Sequence, residues 1–214
     1  MIFSASDYEK RRCTKMAENI ATEIEISLPL FSALSEISRS EFVPIEAHAY
    51  DLNPQPILGN QWISSPLTVA KMIMQTECDK CENILEIGCG SGYAAAVLSK
   101  IVNRVFTIER IERLVKEAKK HFENLGISNV NVRYDDGNCG WRNFAPYERI
   151  LIWAASENVN DRLFSQLENG GILLAPIIKD DKQFITKFRK NINGEISEEI
   201  VEECEFVPLL SGRE

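Results

Sequence analysis

Histidine is scarce in this sequence, with only His48 and His121 among 214 residues. The six cysteines are scattered, and only Cys78 and Cys81 have a spacing that metal sites use. A zinc site of four protein ligands needs a second close pair of ligands, which the sequence lacks. We therefore expect no metal. We interpret Cys78 and Cys81 as two reduced thiols in a polar surface turn, rather than as half of a zinc site or a redox pair.

An excess of basic residues and a long apolar segment are also missing. The chain has 24 Lys and Arg against 32 Asp and Glu, a net charge of −8, which disfavours binding to nucleic acid. No uninterrupted apolar run approaches the roughly 20 residues that span a bilayer. The first ten residues lack the basic start and the apolar core of a signal peptide. We expect a cytoplasmic protein without a nucleic-acid or membrane partner.

Short apolar segments alternate with helical patterns in the middle of the chain. Strands are predicted at 83–87, 104–109, 130–134, 149–153 and 172–176, and helices after residue 66 and at 93–100, 111–124 and 161–167, with a turn at 169–171. Strands that alternate with helices favour a parallel sheet covered on both faces. After residue 178 three further strands, at 184–189, 198–203 and 205–209, predict an antiparallel edge. The fold class is α/β, doubly wound, with a mostly parallel sheet.

The whole chain, 1–214, is predicted to be one domain with three parts. Residues 1–66 contain N-terminal helices from about Thr14 to Ser40, broken at 27–29, and an irregular loop from Tyr50 to Pro66. Residues 67–178 form the sheet core, and residues 179–214 add the C-terminal strands. A long irregular stretch inside a compact domain is usually functional or disordered. We interpret this loop as a lid over the site.

A glycine-rich turn follows the first core strand. Gly88, Gly90 and Gly92 form G-x-G-x-G, whereas the last glycine of the dinucleotide fingerprint would fall at Tyr93. Glycines in such a turn let the backbone approach a ligand beyond the carboxyl end of the strand. Glu86, two residues before the first glycine, suits a ligand with a cationic amino-acid end and no phosphates. The turn therefore favours S-adenosylmethionine over a dinucleotide.

Acidic residues also follow the next two strands. Glu109 closes the second strand about 20 residues after Gly88, where a carboxylate accepts hydrogen bonds from ribose hydroxyls. Asp136 follows the third strand, directly before Gly137, where an adenine amino group can be bound. We predict that these residues bind the cofactor together with Glu86 and the three glycines of the turn.

Motifs along most of the chain resemble the protein-L-isoaspartate O-methyltransferase family. They are the segments at 41–44, 61–66, 85–93, 109–111, 136–141, 145–147, 167–171 and 206–209. The glycine turn alone is generic to methyltransferases, whereas Ile-Ser-x-Pro at 63–66 and Phe-Val-Pro-Leu at 206–209 are more particular. The resemblance implies methyl transfer from S-adenosylmethionine to the α-carboxylate of isoaspartyl residues in damaged proteins. The ester then collapses to a succinimide, which reopens partly to normal aspartate.

The resemblance also implies that Ser64 is the catalytic residue of the loop. Its hydroxyl would orient the substrate carboxylate or the isopeptide backbone by a hydrogen bond. A carboxylate has a pKa near 4 and is already a nucleophile at pH 7, so the reaction needs no strong base. The alternative is that Ser64 caps the helix that follows Pro66, since serine is a favoured N-cap. Leu209 and Leu210 are expected to line the peptide cleft.

Two tryptophans stand where the family usually has threonine. Trp62 lies just before Ile-Ser in the loop, and Trp153 follows the fourth core strand. These rings either reshape the cleft, where they can pack on each other, or cover the edges of the core. The alternatives to isoaspartyl methylation are therefore a methyltransferase of the same fold with another acceptor, and a non-catalytic homologue that binds S-adenosylmethionine.

Overall fold

The computed structural model describes residues 5–214 of the chain, and side chains from Asp7 onward. The first four residues, which belong to the segment that lacks signal-peptide features, lie outside the described part. The α-helices of the described part are α1 (Ala5–Glu23), α2 (Leu28–Glu36), α3 (Pro66–Thr76), α4 (Tyr93–Leu98), α5 (Glu112–Asn124) and α6 (Asp161–Gln166). Its strands are β1 (Gln55–Ile57), β2 (Gln61–Ile63), β3 (Asn83–Ile87), β4 (Arg104–Glu109), β5 (Val130–Tyr134), β6 (Tyr147–Ile152), β7 (Leu167–Lys179), β8 (Lys182–Lys190) and β9 (Ile196–Cys204).

The central sheet has seven strands in the order β5-β4-β3-β6-β7-β8-β9. The pairs from β5 to β7 are parallel, and β8 and β9 add an antiparallel edge. The predicted doubly wound fold with an antiparallel edge is confirmed. The chain order reverses between β3 and β6, and ligands of such sheets bind beyond the carboxyl ends of the strands at this point.

Strand β3 lies inside the sheet between β4 and β6 and is buried on both faces. Ile84 contributes to an apolar cluster with residues of α1 to α5, whereas Leu85 and Ile87 belong to a second cluster with residues of α6. Because side chains of a strand alternate between faces, Glu86 points to the same side as Ile84. The position of this carboxylate in the interior is therefore set by the strand itself.

The N-terminal region confirms the predicted helices and corrects the predicted loop. A break between two helices is present, but it lies at 24–27 rather than at 27–29, because Leu28 and Pro29 already belong to α2. The Ser27 side chain caps α2 by accepting from the Leu30 amide at 3.4 Å. Helix α1 begins earlier than predicted, at Ala5. The segment 50–66 is not irregular throughout, since β1 and β2 form an antiparallel hairpin in it. Pro56 is tolerated there because a two-stranded ribbon has only edge strands.

The C-terminal region contains two of the three predicted strands. The strand expected at 205–209 is wrong, because this segment makes only an isolated bridge between Pro208 and Ala155. Proline has no amide hydrogen to donate to a ladder. The Ala155 amide donates to the Val207 carbonyl at 2.8 Å, and the Leu209 amide donates to the Ala155 carbonyl at 2.7 Å. These bonds hold the segment just beyond the carboxyl end of β6.

The turn predicted at 169–171 lies within the bounds of β7. Leu167 pairs with Tyr147 and Ile172 pairs with Arg149, so the residues between Leu167 and Ile172 bulge from the ladder. Gly170 supports the bulge with a φ of +87°. The chain therefore does turn at the predicted residues, but the turn is a bulge within a strand, because sheet pairing continues on both sides of it.

Cys78 and Cys81 flank a turn whose Asp79 and Lys80 are exposed, as expected, and both are free cysteines, but their own side chains do not lie at the surface. The two residues are 2% and 5% exposed and pack in the apolar core after α3. Free cysteine behaves as a small apolar residue, which explains the burial. Burial raises the pKa of both thiols, that of Cys81 to about 12. Within residues 5–214, no helix is long and apolar enough to cross a bilayer.

Candidate active site

A cavity of about 910 Å³ lies beyond the carboxyl ends of β3, β4 and β6. Its walls are the glycine turn, the hairpin of β1 and β2, the segment around Glu109, and the C-terminal residues Val207 to Leu210. A concave site at this place in an open α/β sheet is where such folds bind small molecules and cofactors. Leu209 and Leu210 line the cavity as the sequence predicted.

The structure brings five of the eight predicted site residues to the wall of this cavity. They are Ser64, Gly88, Gly90, Glu109 and Gly137. Glu86, Gly92 and Asp136 do not line it. These three residues instead contact the wall residues or the segments that support them.

The glycine turn needs glycine for conformation and for space. Gly88 and Gly92 have φ values of +93° and +98°, which L side chains rarely adopt. A Cβ at Gly88 would lie 3.3 Å from the Cβ of Trp153, and one at Gly92 would lie 2.7 Å from Cζ of Phe122. Ser91 lines the cavity, and its buried hydroxyl has no hydrogen-bond partner within the described chain. The turn therefore offers close backbone approach and one unused hydroxyl.

Glu109 fastens the glycine turn to the end of β4. Its Oε2 accepts from the Gly90 amide at 2.8 Å, and its Oε1 accepts from the Ile111 amide at 2.9 Å. Burial raises the pKa of this carboxyl, although the backbone donors act in the opposite direction. A carboxylate oxygen accepts more than one hydrogen bond, so each oxygen retains capacity for a ligand hydroxyl.

Glu86 is fully buried behind the cavity wall. Trp153 Nε1 donates to its Oε1 at 2.9 Å, and the Thr107 hydroxyl donates to its Oε2 at 2.6 Å. Burial is the main cause that raises the pKa of Glu86 to about 7. The carboxylate thus holds the Trp153 ring, which lines the cavity. Sequence reasoning missed this pair because its members are 67 residues apart.

The two unexpected tryptophans take different positions in the site. Trp153 is 9% exposed, with its ring centroid 6.4 Å from that of Phe206, whereas Trp62 is 55% exposed at the mouth. Both line the cavity, but within the described residues no ring contact joins them. The expected packing of one ring on the other is therefore not found. Trp153 shapes the inner wall and Trp62 the entrance.

Asp136 connects the third strand of the core to the C-terminal tail. Its Oδ2 accepts from the Gly212 amide at 2.7 Å, and its Oδ1 accepts from the Asn138 amide at 2.9 Å. Burial opposes the charge, but these bonds outweigh it and lower the pKa of Asp136. Its neighbour Gly137 leaves no room for a side chain, since a Cβ would lie 2.3 Å from Cγ2 of Ile87.

Ser64 faces the cavity from the end of the hairpin. The adjacent Ser65, rather than Ser64, is the N-cap of α3, and its hydroxyl accepts from the Thr68 amide at 3.0 Å. The capping alternative for Ser64 is therefore wrong. The Ser64 carbonyl accepts from Nη2 of Arg39 at 2.9 Å, while its hydroxyl has no protein partner within residues 5–214. The sequence contained no local signal for the contact with Arg39.

The donor set of this cavity fits S-adenosylmethionine. Space for a backbone approach at Gly88, the unused Ser91 hydroxyl and the buried acceptor Glu109 match an amino-acid end and a ribose. Among the described residues no group of three or more His, Cys, Asp or Glu could hold a metal ion. The sheet order and the turn at its switch point define a Rossmann-like methyltransferase that uses S-adenosylmethionine.

Comparison with known proteins identifies the family. The sequence profile of protein-L-isoaspartate(D-aspartate) O-methyltransferase matches residues 12–214, and the chain belongs to this family. A protein-L-isoaspartate O-methyltransferase of Helicobacter pylori (strain G27) is 46% identical over 199 residues, which cover 92% of this chain and 95% of that protein. A Dictyoglomus turgidum protein of the same name is 39% identical over 209 residues, which cover 97% of this chain and 94% of that protein.

Solved structures have the same fold. A protein-L-isoaspartate O-methyltransferase with 27% identity superposes with a TM-score of 0.83 over 91% of this chain, which spans 64% of that longer chain. A second structure is that of a Plasmodium falciparum protein described as a putative protein-L-isoaspartate O-methyltransferase in complex with S-adenosyl-L-homocysteine. It has 19% identity to this chain and a TM-score of 0.82, and the superposition covers 92% of this chain and 98% of that chain. The comparisons do not favour another acceptor or a non-catalytic homologue.

Proposed function

We propose that this chain transfers the methyl group of S-adenosylmethionine to the α-carboxylate of L-isoaspartyl residues in damaged proteins. One observation carries the proposal: Ser64, whose hydroxyl has no hydrogen-bond partner among residues 5–214, and the glycine turn line the same cavity. The names of the relatives in the family support this acceptor. The partners would be proteins or peptides that contain isoaspartyl residues, with neither nucleic acid nor membrane involved.

The cofactor-binding residues divide into two groups in this proposal. Gly88, Gly90, Glu109 and Gly137 line the cavity and would contact the cofactor directly. Glu86, Gly92 and Asp136 would support those contacts from behind the wall. Glu86 does so through Trp153, Gly92 through the conformation of the turn, and Asp136 through its hydrogen bonds with the residues that follow it. This division changes the direct role that the sequence suggested for Glu86.

The proposed reaction requires little acid–base catalysis from the protein. When bound, S-adenosylmethionine supplies a methyl group made electrophilic by a positively charged sulfur. The acceptor carboxylate is ionised at pH 7, so Ser64 has only to orient it by a hydrogen bond. Apolar walls from Ile87, Trp153 and Leu209 would exclude water and the competing hydrolysis it allows. Ser64 is the proposed catalytic residue in this orienting sense.

Two organisational features accompany the proposed function. The buried residues of α1 to α5 share one apolar cluster with sheet residues, which supports a single domain across 1–214 with the three parts predicted above. The cysteines of the described part are all free thiols, which supports a cytoplasmic location in which thiols stay reduced.

The function is tested with a pair of peptides that differ only in the linkage at one aspartate. With labelled S-adenosylmethionine, we expect base-labile methyl ester on the isoaspartyl peptide and none on its aspartyl twin. The succinimide that forms from the ester provides a second readout by mass. Binding of S-adenosylhomocysteine, measured by calorimetry, is the control for a competent cofactor site. Cofactor binding with no ester on the isoaspartyl peptide at saturating cofactor would contradict the proposal.

Ser64→Ala should lower the turnover number for the isoaspartyl peptide by about 10-fold, because one orienting hydrogen bond is lost. The affinity for S-adenosylhomocysteine should remain within about two-fold, since the backbone around the glycine turn is unchanged. Steady-state kinetics and calorimetry measure the two quantities. Ser65→Ala is the matched control: it should lower the unfolding free energy by about 1 kcal/mol through loss of the helix cap. Turnover as fast as that of the wild type in Ser64→Ala would remove Ser64 from the mechanism.

A further inference from the structure

Arg39 is a buried cation to which the proposed function assigns no role. Arg39 opens the short 3-10 helix Arg39–Phe42 after α2, and its side chain is 0% exposed. Arginine is almost never fully buried unless it is paired. Within residues 5–214, no carboxylate forms an ion pair with Arg39. The charge of Arg39 therefore lies in the interior without a counter-ion.

Two contacts of the Arg39 side chain lead to the cavity wall. Nη2 donates to the Ser64 carbonyl at 2.9 Å, and the guanidinium carbon lies 4.8 Å from the ring centroid of Tyr93. Ser64 and Tyr93 both line the cavity, whereas Arg39 does not reach it. The remaining nitrogens, Nε and Nη1, have no hydrogen-bond partner in the described part of the chain. Arg39 thus stands directly behind the wall that carries the proposed catalytic serine.

This arrangement costs stability unless something compensates for it. Burying a charge without a hydrogen-bonded partner is among the most unfavourable events in folding. Contact with the Tyr93 ring and one backbone carbonyl offsets only part of the penalty. Burial lowers the pKa of Arg39 to about 10, so the group is still positively charged at pH 7. In surroundings of low dielectric constant, such a charge acts on an anion over a longer distance than it would in water.

We propose that Arg39 is a positioning residue for the acceptor carboxylate. It would fix the backbone of Ser64, so that the serine hydroxyl points into the cavity. Its charge, which the fold leaves unneutralised, would favour an anionic acceptor over a neutral one of the same shape. The inference rests on the proposed function, because an isoaspartyl α-carboxylate is the anion that enters this cavity.

The test compares an isoaspartyl peptide with its α-carboxamide analogue, which has the same shape and no charge. The ratio of their dissociation constants is measured with S-adenosylhomocysteine bound to the wild type, Arg39→Lys and Arg39→Met. We expect the wild type to bind the carboxylate at least about 10-fold more tightly than the carboxamide. Arg39→Lys should keep most of this preference and Arg39→Met should lose it. A purely structural role would weaken the binding of both peptides equally.

Kinetics provide the second readout. Arg39→Met should raise the KM of the isoaspartyl peptide by about 10-fold, the same factor as the lost preference, with the affinity for S-adenosylhomocysteine unchanged. The matched control is Arg104→Met, since Arg104 is exposed at the amino end of β4, away from the cavity. This control should change neither the KM nor the peptide preference.

Two outcomes would overturn the inference. One is an Arg39→Met variant that keeps the wild-type preference for the carboxylate. The other is a wild type that binds both peptides equally, or whose preference disappears in about 0.5 M salt, since a buried charge is little screened. The wild-type measurement can still overturn the inference if Arg39→Met does not fold. Methylation of the isoaspartyl peptide by the wild type, measured separately, shows whether the proposed function itself fails.

Discussion

Replacing Glu109 with alanine is expected to weaken the binding of S-adenosylhomocysteine by about 1–3 kcal/mol, or about 5- to 150-fold. The carboxylate has two tasks in the structure. Its oxygens accept from the amides of Gly90 and Ile111, and they retain capacity for the hydroxyls of a ribose. Alanine removes the ligand contact and leaves both amides without their partner, so the glycine turn also loses its attachment to β4. Calorimetry with S-adenosylhomocysteine measures the effect.

Two further variants separate these tasks. Glu109→Gln keeps one acceptor oxygen and should lose less affinity than Glu109→Ala. Glu112→Ala removes the same charge from an exposed position at the start of α5 and should leave the dissociation constant unchanged. Urea unfolding at pH 7 verifies that each variant is folded. A dissociation constant of Glu109→Ala equal to that of the wild type would refute the role of Glu109 in cofactor binding.

Glu86→Gln should make the protein more stable above pH 7, by about 3 kcal/mol in the free energy of unfolding. Burial raises the pKa of Glu86 to about 7 from an ordinary value of 4.5. Between these values the folded state binds a proton that the unfolded state has released. The stability that Glu86 contributes is therefore complete below pH 4.5 and is lost as the pH rises to 7. Glutamine cannot ionise. Its side-chain amide can still accept a hydrogen bond from Trp153 Nε1 and can donate one to the Thr107 hydroxyl.

Urea unfolding of both proteins from pH 4.5 to pH 8 tests this prediction. The difference in unfolding free energy between Glu86→Gln and the wild type should grow with pH across this window and become constant above pH 7. Glu123→Gln, a change at an exposed position near the end of α5, should follow the wild-type curve. Parallel curves for Glu86→Gln and the wild type would show that the carboxylate is ionised in the fold without a penalty.

The Glu86–Trp153 pair affects both the shape of the proposed active site and the stability of the fold. The hydrogen bond from Trp153 Nε1 places a large ring on the inner wall of the cavity. The carboxylate that holds this ring is costly to ionise, because it is fully buried. The sequence raised the question of what a tryptophan does in place of a small hydroxyl residue. In the structure this tryptophan donates a hydrogen bond to Glu86, lines the cavity and lies against Gly88.

Local sequence was sufficient for most of the fold. The bounds of β3, β4 and β5 were predicted to the residue, since β3 and β4 are short, largely apolar segments and β5 alternates apolar with polar residues. The position of the glycine turn followed from the residues themselves, because a positive φ at Gly88 and Gly92 is a property of the local backbone. The class of protein and its cofactor were inferred from the same local pattern.

Contacts between distant segments decided the rest. Local propensity does not reveal that Ser65 rather than Ser64 caps α3, that the segment around Pro208 makes only an isolated bridge, or that Cys78 is buried. Arg39 was not recognised because its contacts depend on α2, the hairpin and α4 packing together. Backbone conformation at a turn depends on neighbouring residues and can be read from them. The partner of a buried polar side chain depends on the packing of the whole chain, and only the tertiary structure determines it.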